Sequence, residues 1–225
     1  VSKADGGTFD GNVTMAGTLA TTGNATFSGD IIKSTAGTSN FAAGVNAGNS
    51  IASGGNYNTV VGDEAGTALT TGDSNVAIGF EALATEDANG LNVAVGYRAL
   101  KTLNASGAAY NTAVGYDAGT AITTGTLNTL IGGLSGDALT TGDNNVAVGY
   151  LALSSDTQGD RNIAIGRSAL AVQNFTSSTD AYNIAIGYNA GAAVTTGQFN
   201  TFVGGLSGDA TTTASGNSAL GYLSL

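Results

Sequence analysis

The chain has 225 residues, with 36 glycines and no proline, cysteine, histidine or tryptophan; 42% of it is hydrophobic and 10% charged. A net charge of −10 opposes binding to a phosphate backbone, and the missing Cys and His remove disulfides, thiolate metal sites and the commonest general bases. The apolar share is too high for disorder, and Gly beside many Val, Ile, Thr and Ala points to short strands broken by tight turns.

In chain order, residues 1–33 place Gly11, Gly17, Gly23 and Gly29 at every sixth position, with Val13, Met15, Leu19, Phe27 and Ile31 between them. This hexad predicts a β-helical fibre stem of one chain or three. Residues 34–57, rich in Ser, Gly, Asn and Ala, read as an irregular joint. From 58 to 225 a unit Asn-x-x-(Val/Ile/Leu)-Gly recurs ten times, mostly 17 residues apart. Its asparagines are Asn58, Asn75, Asn92, Asn111, Asn128, Asn145, Asn162, Asn183, Asn200 and Asn217. Its glycines are Gly62, Gly79, Gly96, Gly115, Gly132, Gly149, Gly166, Gly187, Gly204 and Gly221. A fixed period of this kind predicts an all-β parallel solenoid of about ten coils. At ~4.8 Å per strand the rod is about 48 Å long.

Columns follow from the period. Val61, Ile78 and their equivalents precede the Gly, and Thr59, Val76 and theirs lie two residues earlier. Residues i and i+2 share a strand face, so both columns are expected to line the coil interior, leaving the intervening Ala77, Ala94 and Ala113 outward. Outward alanines allow close approach of subunits around a three-fold axis, which predicts a homotrimer. A second short strand is expected three residues past each Gly (Ala65, Ala118, Ser135, Ala190). The longer intervals, Asn92 to Asn111 and Asn162 to Asn183, are expected to bulge as surface loops. The run from Asn128 returns at Asn200, and that from Tyr110 at Tyr182, so a block of four coils is duplicated with a shift of 72 residues.

Each Asn reads as a structural residue, either in a left-handed turn bonding its own backbone or stacked on the Asn of the neighbouring coil. Tyr97, Tyr116, Tyr150 and Tyr188 follow their glycines and are candidate surface contacts. Thr-Thr-Gly rows such as Thr70–Gly72 are interrupted along the rod and read as turns rather than a Thr lattice. Catalytic, metal and cofactor residues: none is assigned. The acids closest in register, Glu64 and Glu81, continue into Arg98 and Asp117, which reads as a surface charge ladder. Asp73, Asp143 and Asp160 read as turn residues. No run approaches the ~18 apolar residues of a membrane span. The opening Val1 and the stop at Leu225 inside a coil lead us to expect a processed or partial product.

The segments Asn75–Gly79 (NVAIG), Asn145–Gly149 (NVAVG) and Asn162–Gly166 (NIAIG) resemble the head repeats of trimeric autotransporter adhesins, whose units form a left-handed parallel β-roll in a trimer. The stretch Val1–Ile31 resembles stem segments of bacteriophage tail fibres, which also carry arrays like Asn111–Gly119 (NTAVGYDAG). The 17-residue coil is longer than the adhesin unit, and the phage-fibre resemblance covers nearly the whole chain. It implies a viral structural protein, an extracellular virion or tail appendage. Its partners would be further copies of itself, other virion proteins and a host-surface receptor or glycan, with no nucleic acid and no membrane insertion. The alternative is a bacterial surface adhesin segment; a polysaccharide-degrading tailspike is the third reading. The chain is expected not to be an enzyme.

Overall fold

A computed structural model describes residues 35–225; the expected stem at 1–33 lies outside the described residues. The strands are β1 (Phe41–Ala43), β2 (Thr59–Val61), β3 (Val76–Ile78), β4 (Val93–Val95), β5 (Thr112–Val114), β6 (Thr129–Ile131), β7 (Val146–Val148), β8 (Gly159–Asp160), β9 (Ile163–Ile165), β10 (Thr179–Asp180), β11 (Ile184–Ile186), β12 (Thr201–Val203) and β13 (Ser218–Leu220). All but β8 and β10 stack in chain order into one parallel sheet of eleven strands. Equivalent residues face each other at every step, Thr59 on Val76 and Val61 on Ile78 for example. The described residues form the expected all-β parallel solenoid, with one strand of the main sheet per coil and no helix.

The first coil begins at β1, inside the segment read as an irregular joint. Asn40-Phe-Ala-Ala-Gly44 is a divergent copy of the repeat, with Ala43 where the other coils carry Val, Ile or Leu. The two long intervals do form loops: residues 106–108 and 176–178 are exposed, and Thr179–Asp180 adds a small parallel ladder on Gly159–Asp160.

Four residues with positive φ close each coil. In the coil of β2 these are Tyr57 (59°), Gly62 (127°), Glu64 (57°) and Gly66 (51°). Gly62 is demanded twice over. Its φ lies where L side chains rarely go, and an added Cβ would lie 2.6 Å from the carbonyl oxygen of Gly79 in the next coil. The expected second strand is not one. That wall is a stack of turns, although it is still hydrogen-bonded coil to coil, as in Gly66 N–H to Ala82 C=O (2.9 Å) and Leu83 N–H to Ala99 C=O (3.0 Å).

The inside and outside of the strands are the reverse of the expected assignment. Ala77, Ala94, Ala113, Ala147, Ala164 and Ala185 are fully buried, whereas the Val/Ile and Thr/Val columns on either side are half-buried or exposed. The narrow coil gives the reason. The middle strand residue meets, across the interior, the residue four past the Gly. The two sizes are complementary: Val60 faces Gly66 and Leu130 faces Gly136, but Ala77 goes with Leu83 and Ala147 with Leu153. A Cβ at Gly136 would lie 2.8 Å from the Leu130 side chain, and one at Gly208 would lie 2.5 Å from the Phe202 ring. Where both positions are small, at Ala113 with Gly119, Leu100 and Leu130 reach in from the neighbouring coils. A Val or Ile pair inside every coil would overfill this space.

Phe202→Ala should therefore cost about 3–5 kcal/mol in chemical denaturation. Adding Gly208→Leu, which recreates the Ala/Leu pairing used four times elsewhere, should recover a large part of it. The left-handed φ of 62° at Gly208 matches that of Leu83 and Leu153, so recovery is limited by roughly 1–2 kcal/mol of backbone cost. Failure of the second change to restore any stability would refute the size-complementary interior.

Candidate functional site

Every repeat asparagine from Asn58 to Asn200 is buried and belongs to one ladder. The backbone N–H of each donates to the Oδ1 of the Asn one coil earlier: Asn58 to Asn40 (2.8 Å), Asn128 to Asn111 (2.9 Å), Asn145 to Asn128 (2.9 Å), Asn217 to Asn200 (3.0 Å). Asn128 Nδ2 also donates to the Gly142 carbonyl across the coil (2.8 Å). Of the two roles read for the column, the stacked one holds, and the left-handed corner belongs to the preceding residue, such as Leu127. These side chains are spent on the backbone and offer nothing to a ligand.

The outer face of the sheet offers more. Its two central columns, Thr59 to Thr201 and Val61 to Val203, contain no charged residue. Ile78 is 37% exposed and Ile131 40%. One margin carries the left-handed residues before each Asn, among them Tyr57, Leu91, Tyr110, Leu127, Tyr182 and Phe199, all exposed. The sequence reading passed over this column, although the aromatic or Leu residue before Asn in six coils was a visible signal. A strip ~48 Å long and ~15 Å wide covers roughly 700 Å², more than the few hundred Å² that is usual on a lone monomer. Near its last strand lies an open apolar hollow lined by Thr201, Val203, Ser218, Ala219 and Leu220, with no titratable group.

Tyr97, Tyr116, Tyr150 and Tyr188 are exposed, as a surface-contact role requires. They form a column with Asp63, Phe80, Gly133, Arg167, Gly205 and Tyr222. Phe80 stacks on Tyr97 (centroids 5.4 Å apart) and Tyr97 on Tyr116 (5.1 Å).

The acids are mostly structural. Glu81 is held below the usual carboxylate range by hydrogen bonds from Lys101 (2.7 Å) and Arg98 (2.8 Å), and Glu64 accepts from Asn46 (2.7 Å). Asp73, Asp143 and Asp160 accept backbone N–H groups from the preceding coil, those of Asn56, Thr126 and Asp143 at 2.6–2.7 Å. Two coils beyond the Glu81–Lys101 pair, the same two positions hold Asp117 and Asp137. Each has one buried oxygen without a hydrogen bond, and burial, with a lesser push from Asp117, raises the Asp137 carboxyl. Two further acids sit where other coils place Leu69, Leu103 or Ile122 in the interior. Asp156 accepts from Gly159 N–H (3.0 Å), Phe175 N–H (3.0 Å) and Gln173 Nε2 (2.6 Å). Glu86 accepts longer bonds from Asn89 N–H (3.1 Å) and Ala105 N–H (3.4 Å), and burial pushes its carboxyl up. Among the described residues no cluster of three or more His, Cys, Asp or Glu is arranged to hold a metal, and no helix is long and apolar enough to cross a membrane.

Asn128→Ala removes the acceptor of Asn145 N–H and the donor to Gly142 C=O, and both are buried. It should cost about 2–6 kcal/mol, at about 1–3 per orphaned group, measured by denaturant unfolding. The Glu86 carboxyl is raised in the folded state above its ordinary 4.5. The folded state thus holds the proton more tightly, and stability is lost as pH rises through the folded value. Glu86→Gln should unfold later than the parent chain at pH 7, with the gap closing below the ordinary carboxylate range. An equal gap at both pH values would show that the charge is not the cause. Compared with protein-family models, curated proteins and solved structures, the chain matches none of them.

Proposed function

We propose that the chain is a structural fibre protein, the stiff shaft of a phage tail or virion appendage, in which three copies associate side by side and present attachment surfaces to a host cell. The observation that carries this reading is the open outer face of the eleven-stranded sheet. A parallel sheet is ordinarily covered on both faces. Here the inner face is closed by the coil's own turns, while two columns of Val, Ile and Thr stay uncharged and uncovered. The exposed strip of roughly 700 Å² is close to the ~800 Å² that each partner gives to a standard stable interface. The alanines expected on the outside lie inside the coil and cannot meet a neighbour.

The remaining surface supports the same use. Coil-to-coil hydrogen bonding along every wall makes a rod that resists bending and protease entry. Repeated side chains along a rod, multiplied by the copies on one particle, turn weak surface contacts into avidity. The alternative of a bacterial adhesin segment uses the same physics, and the context of attachment distinguishes the two.

Light scattering with size-exclusion chromatography should give a native mass three times 21.8 kDa, and electron microscopy should show slender rods. Ile131→Lys with Val148→Lys, at the centre of the open face, should release folded single chains with an unchanged β-type circular dichroism spectrum. A parent chain that runs as a monomer of 21.8 kDa would sink the side-by-side assembly.

A further inference from the structure

The aromatic column that follows the repeat glycines runs, rung by rung, Tyr116, Gly133, Tyr150, Arg167, Tyr188, Gly205, Tyr222. Its two glycines are unlike the repeat glycines. Neither has a left-handed φ, and a Cβ would meet nothing closer than 3.6 Å at Gly133 or 3.5 Å at Gly205. Backbone and packing would accept a side chain at both. In each case the nearest atom belongs to the ring of the following tyrosine, Tyr150 or Tyr222. Each glycine lies between tyrosines two coils apart, the following ring in van der Waals contact with its Cβ position forming one wall of a slot, and the duplication repeats this arrangement 72 residues on, about 19 Å along the rod at ~4.8 Å per coil.

The rung between the slots shows what such a space accepts. Tyr150 and Tyr188 are also two coils apart, and between them lies the Arg167 guanidinium, 5.9 Å from one ring centroid and 5.7 Å from the other. Its Nη1 also lies 3.4 Å from the Tyr188 hydroxyl. Both distances are within cation–π range. Tyr116/Tyr150 and Tyr188/Tyr222 repeat that frame without the filling group, on a chain of net charge −10.

We propose that the slots at Gly133 and Gly205 bind guanidinium groups, supplied by arginine side chains of a partner protein. The π faces of two tyrosines attract a planar cation, the acidic chain draws it in, and the glycine leaves the depth that a guanidinium needs. An ammonium is more strongly hydrated and cannot lie flat between two rings.

The test uses the full chain in its native assembly, labelled with 3-fluorotyrosine and titrated with N-acetyl-arginine amide, the fluorine signals being assigned by Tyr→Phe changes. Saturable shifts should appear at Tyr116 and Tyr222. The lysine counterpart should bind at least tenfold more weakly, and methyl glucoside should leave both signals unmoved. Gly133→Arg with Gly205→Arg fills the slots from within and should abolish the shifts while the thermal melt is retained. If that variant does not fold, Tyr150→Ala with Tyr188→Ala removes the other wall of each slot and should abolish the shifts at Tyr116 and Tyr222. No saturable shift with the arginine probe, shifts that survive slot removal, or a stronger response to methyl glucoside would each overturn the proposal.

Discussion

Everything in this fold depends on the closeness with which one coil lies on the next. At Gly62 the carbonyl oxygen of Gly79 occupies the place a side chain would need, and the same holds from Gly79 to Gly96 and from Gly96 to Gly115. That contact fixes Gly at the corner and holds equivalent residues in register, which lets identical side chains bond one another. The asparagine ladder is the result. A buried amide is costly alone, but here each Oδ1 meets an N–H already presented at the right height by the coil after it. The ladder needs the spacing, and the glycines provide it.

The same closeness limits the interior. A short coil leaves room for about one large side chain across its width, so the middle strand residue and its opposite number share a nearly constant volume. The surplus β-branched residues are turned outward, where they favour the strand conformation without filling the core. An uncovered apolar sheet face is thus a by-product of a thin coil. Such a face is costly in water at roughly 25 cal/mol per Å², and that cost drives the association proposed here. Glu86 and Asp156 show how little the interior otherwise tolerates. Each carboxylate replaces an apolar side chain only where a nearby turn supplies N–H groups.

The period, the corner glycines, the loops and the ladder were legible because each rests on spacing alone. The side of the strand that faces inward was not. Period-2 alternation has two phases, and hydrophobicity favoured the wrong one, because Val and Ile outnumber Ala in apolar area. The decisive signal lay in the exceptions: Leu130 and Phe202 occupy the middle position in coils that carry Gly136 and Gly208, and such compensation makes sense only if the middle position is inside. The coil at Asn40 was missed because Ala43 breaks the Val/Ile/Leu column, although Asn40 and Gly44 keep their places. The two glycines of the aromatic column were hidden among 36, and only φ and the absence of a backbone clash separate Gly133 from Gly132.

A uniform face has one weakness. A strand pair that slips by one residue turns its side chains over, but a rod that slips by a whole coil against its neighbour exchanges Val for Val and Ile for Ile at little cost. In the proposed assembly, register between copies comes from the rungs that differ. Those are the Thr rungs at Thr59, Thr112, Thr129 and Thr201, the loops at 106–108 and 176–178, and the aromatic margin with its Arg and Gly interruptions. The duplication repeats these irregularities after 72 residues, so slips of one, two or three coils mismatch Thr against Ile and loop against turn, whereas a slip of four restores most pairings. Such a slip still leaves four coils at each end uncovered, and the apolar area lost there opposes it. In the proposed side-by-side assembly, area gives affinity and irregular rungs give register, and the second works only because the repeat is imperfect.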